Sequence, residues 1–128
     1  MVLNHDCVRA ILLKLEEFPY NTACNVNILQ EQLPEYSNED VNYSCLKLFE
    51  AHYIDAATIT LDGESIPFVV EIYDITFEGH EFLDNVRSPK VWNETKNAAS
   101  KIGTASINVF SQIASGIITS LIKSQIGL

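Results

Sequence analysis

The chain has 128 residues, 47% hydrophobic and 20% charged, with a net charge of −9. Length and composition fit one globular domain with an appendage. The acid excess argues against a nucleic-acid binder, whose affinity comes from Lys and Arg on phosphates.

The charge is unevenly placed. Residues 1–87 hold Arg9, Lys14, Lys47 and Arg87 against 16 acidic residues, a net of −12; residues 88–128 hold four lysines against Glu94 alone, a net of +3. The expected division is a head domain, 1–87, and a helical tail, 88–128. Cys7, Cys24 and Cys45 are odd in number and lack ligand or redox spacing, so they read as buried free thiols in a reducing cytosol. Charges interrupt the apolar run near Met1, which therefore does not read as a secretory signal.

Asn4, His5 and Asp6 are cap candidates for a first helix, with Val8, Ile11, Leu12, Leu15 and Phe18 on its buried face. Pro19 ends it. An extended piece around Ala23 to Val26 is expected to pair with a later ribbon. Asn27 would cap a second helix, Ile28 to Leu33, with Ile28, Leu29 and Leu33 in the core. Ser37, with Asp40 three residues on, opens a third helix. Val41, Cys45, Leu48, Phe49 and His52 form its inward stripe; Asn38, Glu39, Asn42, Tyr43, Lys47 and Glu50 face out.

Ile54 to Leu61 and Ile66 to Ile75 read as a β-hairpin turned by Asp62-Gly63. In the second strand Phe68, Val70 and Ile72 would share one side, and Val69, Glu71 and Tyr73 the other. Thr76 caps a fourth helix with Gly79, Phe82, Leu83 and Val86 on its packed face. Ser88-Pro89 starts the tail, which then runs with no strong stop before Gly127.

Residues 102–122 carry no charge. A helix of that length reaches about 30 Å, a bilayer core, yet only 11 of the 21 residues are apolar. Thr104, Asn108, Ser111, Gln112, Ser115 and Thr119 line one side; Ile102, Ile107, Phe110, Ile113, Ala114, Ile117, Ile118 and Leu121 cover the other. Such a helix must pack on the head, on copies of itself or on lipid. Self-association is the leading expectation, through Ile102, Phe110, Ile113, Ile117, Ile118 and Leu121.

The fold class expected is α+β, mainly α: a winged helix-turn-helix head of three helices and a β-hairpin wing, followed by C-terminal helices. The order of YIDAATITL and DITFEGHEFLDNVR is similar to winged-helix proteins of bacterial regulators, where Leu-Thr-x-x-Gly-x-x-x-Leu commonly follows the wing. Here those places hold Ile75, Thr76, Gly79 and Leu83. CVRAILLKLEE, LFEAHYIDA, ITFEGHEFLDNVR, KVWNETK and the terminal IGL resemble a phage- and prophage-encoded family known only as a domain of unknown function. That resemblance spans nearly the whole chain. It implies a bacterial cytoplasm, a mobile-element origin and a regulatory or host-interaction role, and it carries no catalytic or binding residues.

His80 and Asp84 share a helix face beside Glu81, but no third ligand follows, so no metal is expected. Nucleotide-binding and nucleophile motifs do not occur, and neither an enzyme nor a cofactor is expected. The leading expectation is a non-enzymatic interaction protein, self-associating through its tail. It would present Asn38, Glu39, Asn42, Tyr43, Lys47, Asp62 and Glu64 to a host protein. The alternatives are a DNA-binding regulator that dimerises through the tail, and a membrane-associated protein using the uncharged helix. For the regulator, Asn38, Asn42, Tyr43 and Lys47 would bind the duplex, the first three reading bases, against the acidity of Glu39, Asp40, Asp62 and Glu64.

Overall fold

The structure, a computed structural model, describes residues 1–103 and 106–127. Thr104 of the expected polar stripe lies outside them. Six helices and a two-stranded antiparallel sheet follow in the order α1 (His5–Leu15), α2 (Val26–Gln32), α3 (Asn38–Glu50), β1 (Ile54–Ile59), β2 (Phe68–Ile75), α4 (Phe77–Val86), α5 (Pro89–Ile102) and α6 (Ile107–Gln125). The architecture is α+β and mainly helical. Two compact units divide the chain, Met1–Glu81 and Phe82–Leu128, with the boundary inside α4.

In the first unit, caps set the helix starts. Asn4 Oδ1 accepts from the Cys7 N–H at 3.1 Å and Ser37 Oγ from the Asp40 N–H at 3.1 Å. The second helix starts earlier than its sequence suggests. Asn25, not Asn27, is the cap, accepting from the Ile28 N–H at 2.8 Å. The start at Val26 turns Val26, Leu29 and Leu33 into the core and leaves Ile28 exposed. α1 stops at Leu15, four residues before Pro19, in a turn over Glu16 and Glu17; Phe18, beyond the helix, is half-buried.

The core of this unit is formed by α1, α2 and α3 together with β1 and β2, around Val8, Ile11, Leu12, Leu29, Leu48 and Ile72. Cys24 forms a bridge to Ile72, each N–H donating to the other's carbonyl at 2.9 and 2.6 Å. The expected extended piece therefore lies on the ribbon as a single pair. Leu46 and Ser44 are also buried, so more of α3 is covered than one stripe.

Two departures from the sequence pattern have local causes. His52 is exposed rather than inward. It takes a left-handed conformation, φ 63°, directly after α3, which ends the helix and turns the chain into β1. In β2 the buried residues are Val69, Ile72 and Ile75, three apart, while Phe68 and Val70 face out. Ala57 pairs with Glu71 but Thr58 with Val69, and Asp55 pairs with Asp74 but Ala56 with Ile72. Val70 and Tyr73 are thus the extra residues of two bulges, each of which shifts the alternation by one.

Thr76 fixes the start of α4. Its Oγ1 accepts from the Gly79 N–H at 3.1 Å and donates to the His52 carbonyl at 2.6 Å. Gly79 lies so close to the Tyr53 carbonyl and Ile75 that a Cβ there would overlap both.

In the second unit, Ser88 caps α5 and Pro89 takes its first position. The tail is not continuous. Gly103, at φ 75°, terminates α5, and Ser106 caps α6 by accepting from the Val109 N–H at 3.1 Å. Trp92 and Phe110 meet with ring centroids 5.4 Å apart and tilted by 53°. Asn85 donates to Ser111 Oγ at 3.1 Å, which gives part of the polar stripe a partner within the unit. Only Phe110 and Ala114 of α6 are buried; Ile113, Ile117 and Ile118 are half-buried, and Ile102, Leu121, Ile122 and Ile126 are exposed. Among the described residues no helix is long and apolar enough to cross a membrane.

Candidate functional site

The surface made by α3 and the hairpin carries most of the residues singled out from sequence. The hairpin loop leaves β1 at Thr60 and re-enters at Phe68, turned by Asp62-Gly63 with the Glu64 N–H donating to the Leu61 carbonyl at 3.0 Å. Gly63 takes φ 85°, which the residue's missing Cβ permits. The loop stands beside the outward face of α3, and two adjoining hollows lie between them.

One hollow, of about 340 Å³, is lined by Met1, Glu39, Asn42, Tyr43, Leu61, Glu64, Ile66 and Phe68. The other, of about 510 Å³, shares Met1, Tyr43 and Ile66 and adds Leu46, Lys47, Phe49 and Glu50 among others. Glu39, Asn42, Tyr43, Lys47 and Glu64 thus come together; Asn38 and Asp62 stand exposed outside this lining. The apolar floor was not part of the sequence expectation. Ile66 is 40% exposed, Phe68 37% and Leu61 52%, side chains that the bulges and the loop turn outward. Exposed apolar side chains inside a charged rim form a patch of the kind on which proteins, lipids or ligands can dock.

The polar groups here are largely committed to the fold. Asn42 Oδ1 accepts from the Val69 N–H at 2.9 Å, and its Nδ2 reaches the Pro67 carbonyl at 3.5 Å, so this side chain holds the hairpin against α3. Lys47 pairs with Glu50 at 2.8 Å and lies 5.2 Å from the centre of the Tyr43 ring. The hydrogen bond to Glu50 raises the Lys47 pKa. No ion pair among the described residues engages Glu39 or Glu64. The rim is therefore net acidic.

A third hollow, of about 380 Å³, lies at the other end of the ribbon, among Leu15, Phe18, Pro19, Cys24, Tyr73 and His80. Burial pushes the Cys24 thiol up to about 11, and it raises Cys7 and Cys45 as well. A thiol held protonated is a poor nucleophile. All three cysteines should therefore resist a thiol-labelling reagent at pH 7.5 in the native protein and react together once it unfolds. Rapid native labelling of Cys24 would contradict its placement. The unfolded chain loses these protons near 9 and the folded chain only higher, so stability should fall as pH rises from about 9 through about 11. A urea-midpoint series across that range measures it.

Among the described residues no group of three His, Cys, Asp or Glu is arranged to hold a metal ion. Asp84 pairs instead with Arg87 at 2.9 Å.

Residues 2–106 match the family described as "Hypothetical protein (DUF2513)". The match ends at the cap of α6, so that helix lies beyond it. An uncharacterized protein of Haemophilus influenzae is 30% identical over 123 residues, covering 95% of this chain and 99% of its own length. No solved structure matches.

Proposed function

We infer that this chain, which belongs to the DUF2513 family, is a non-enzymatic protein-interaction module of phage or prophage origin acting in a bacterial cytoplasm. Its head is read as a winged helix, and the support for that reading is the order α1, the strand-like pair at Cys24, α2, α3 and the hairpin. The module self-associates through α6 and offers the acidic α3–hairpin surface to a host protein.

The observation that carries this reading is the apolar surface left in water at two places, the hairpin and the second half of α6. Leu121, Ile122 and Ile126 are all exposed, as are Leu61, Ile66 and Phe68. Burying such side chains yields about 1.5–3 kcal/mol each. The acidic rim favours a partner with basic groups.

DNA is the weaker occupant. Asn42 is held by Val69 and Lys47 by Glu50, and the hairpin tip carries Asp62 and Glu64 where a duplex would demand cations. Filter binding of a labelled duplex at low salt tests the choice. The expected result is no retention. Salt-sensitive retention that Lys47→Glu weakens would overturn the reading in favour of a DNA-binding regulator.

A further inference from the structure

We propose that the hollow between α3 and the hairpin receives the end of α6 from a second copy of the chain, so that assembly runs head to tail. The inference rests on the self-association reading and names the surface onto which α6 docks.

Charge selects the occupant. The unit Met1–Glu81 holds Arg9, Lys14 and Lys47 against 15 acidic residues, a net of −12, and Phe82–Leu128 carries a net of +3. Pairing two heads through the same surface would set Glu39 and Glu64 against their own copies. Pairing two α6 helices would leave the apolar hollow uncovered. Setting α6 into the hollow satisfies both surfaces, and like charges are kept apart.

The local chemistry matches as well. Ile122 lies near the end of α6 and Ile126 just past it, where the Ile126 N–H donates to the Ile122 carbonyl at 3.1 Å, with Leu121 beside them in sequence. Lys123 sits within this apolar group, exposed and engaged in no ion pair among the described residues. An apolar helix face entering a groove is a recurring mode of recognition. Ile122 and Ile126 fill the space bounded by Tyr43, Ile66 and Phe68, and Lys123 meets Glu39 and Glu64. The second copy thus competes with the host protein for this surface, while Asn38 and Asp62, outside the lining, stay exposed.

A contact between two different surfaces propagates into a ring or an open chain. Mixing two variants tests this. Ile66→Glu places a charge in the hollow and Ile122→Glu places one on the helix; both sites are exposed, 40% and 53%, so the folds should survive, as circular dichroism checks. Sedimentation of each variant alone should give one copy, 14.3 kDa. Their equimolar mixture keeps one intact hollow and one intact helix, and it should form a 1:1 heterodimer that grows no further. If Ile66→Glu assembles as the unmodified chain does while Ile122→Glu does not, α6 pairs with α6; the head-to-tail inference then fails and the self-association reading stands. If the unmodified chain itself stays a single copy, that reading fails and takes the inference with it.

Discussion

Gly79→Ala should destabilise the protein by about 1–3 kcal/mol, although the same change in an open helix stabilises by up to about 1. The added Cβ would overlap the Tyr53 carbonyl and approach Ile75 Cγ2 to 2.7 Å. The far end of a side chain could move aside; a carbonyl cannot do so freely. This one already accepts the Thr76 N–H at 3.0 Å, at the point where α3, β1 and α4 meet. The cost should therefore fall at the upper end of that range, a drop of roughly 12–24 °C in melting temperature for a unit of this size. Gly116→Ala is the matched control. Gly116 lies inside α6 with nothing within 4 Å of the place a methyl group would take, so alanine there should be neutral or stabilising. Thermal melts should show a fall for Gly79→Ala and no fall for Gly116→Ala.

Phe110→Ala should be the most damaging single change in the second unit, costing about 3–5 kcal/mol. Phe110 is one of two buried residues of α6, and its ring meets Trp92, itself buried. Removing it takes an aromatic neighbour from Trp92 and one of its two buried anchors from α6. Trp92 is the chain's single tryptophan, so its fluorescence reports the site directly. Emission should shift to the red as water enters, and the urea midpoint of that signal should fall. Ile122→Glu, near the far end of α6, should leave the emission unchanged.

Element types and most caps were legible because each rests on a local signal. Ser37, Thr76 and Ser88 each accept the hydrogen bond that their position before an apolar run implies. The packed face of α4, Gly79, Phe82, Leu83 and Val86, followed from spacing alone. Three features were not legible. A bulge leaves no mark in the residue types around it, so Phe68 and Val70 read as sharing a side with Ile72 until the register of β2 is known. His52 lies on the extension of the α3 stripe, and only the left-handed turn after Ala51 removes it. Asn42 lies on the outward face and reads as a contact residue, because a side chain's bond to a strand 27 residues away cannot be seen from spacing. The candidate site was accordingly legible in its charged rim, Glu39, Lys47 and Glu64, but not in its apolar floor.

The exposed second half of α6 is the point on which the functional account turns. Sedimentation equilibrium of the intact chain over a concentration series, beside Ile122→Glu, tests it most directly. The expected result is a mass that climbs above 14.3 kDa with concentration in the intact chain and holds at 14.3 kDa in the variant. An intact chain that remains at 14.3 kDa throughout would contradict self-association through this helix.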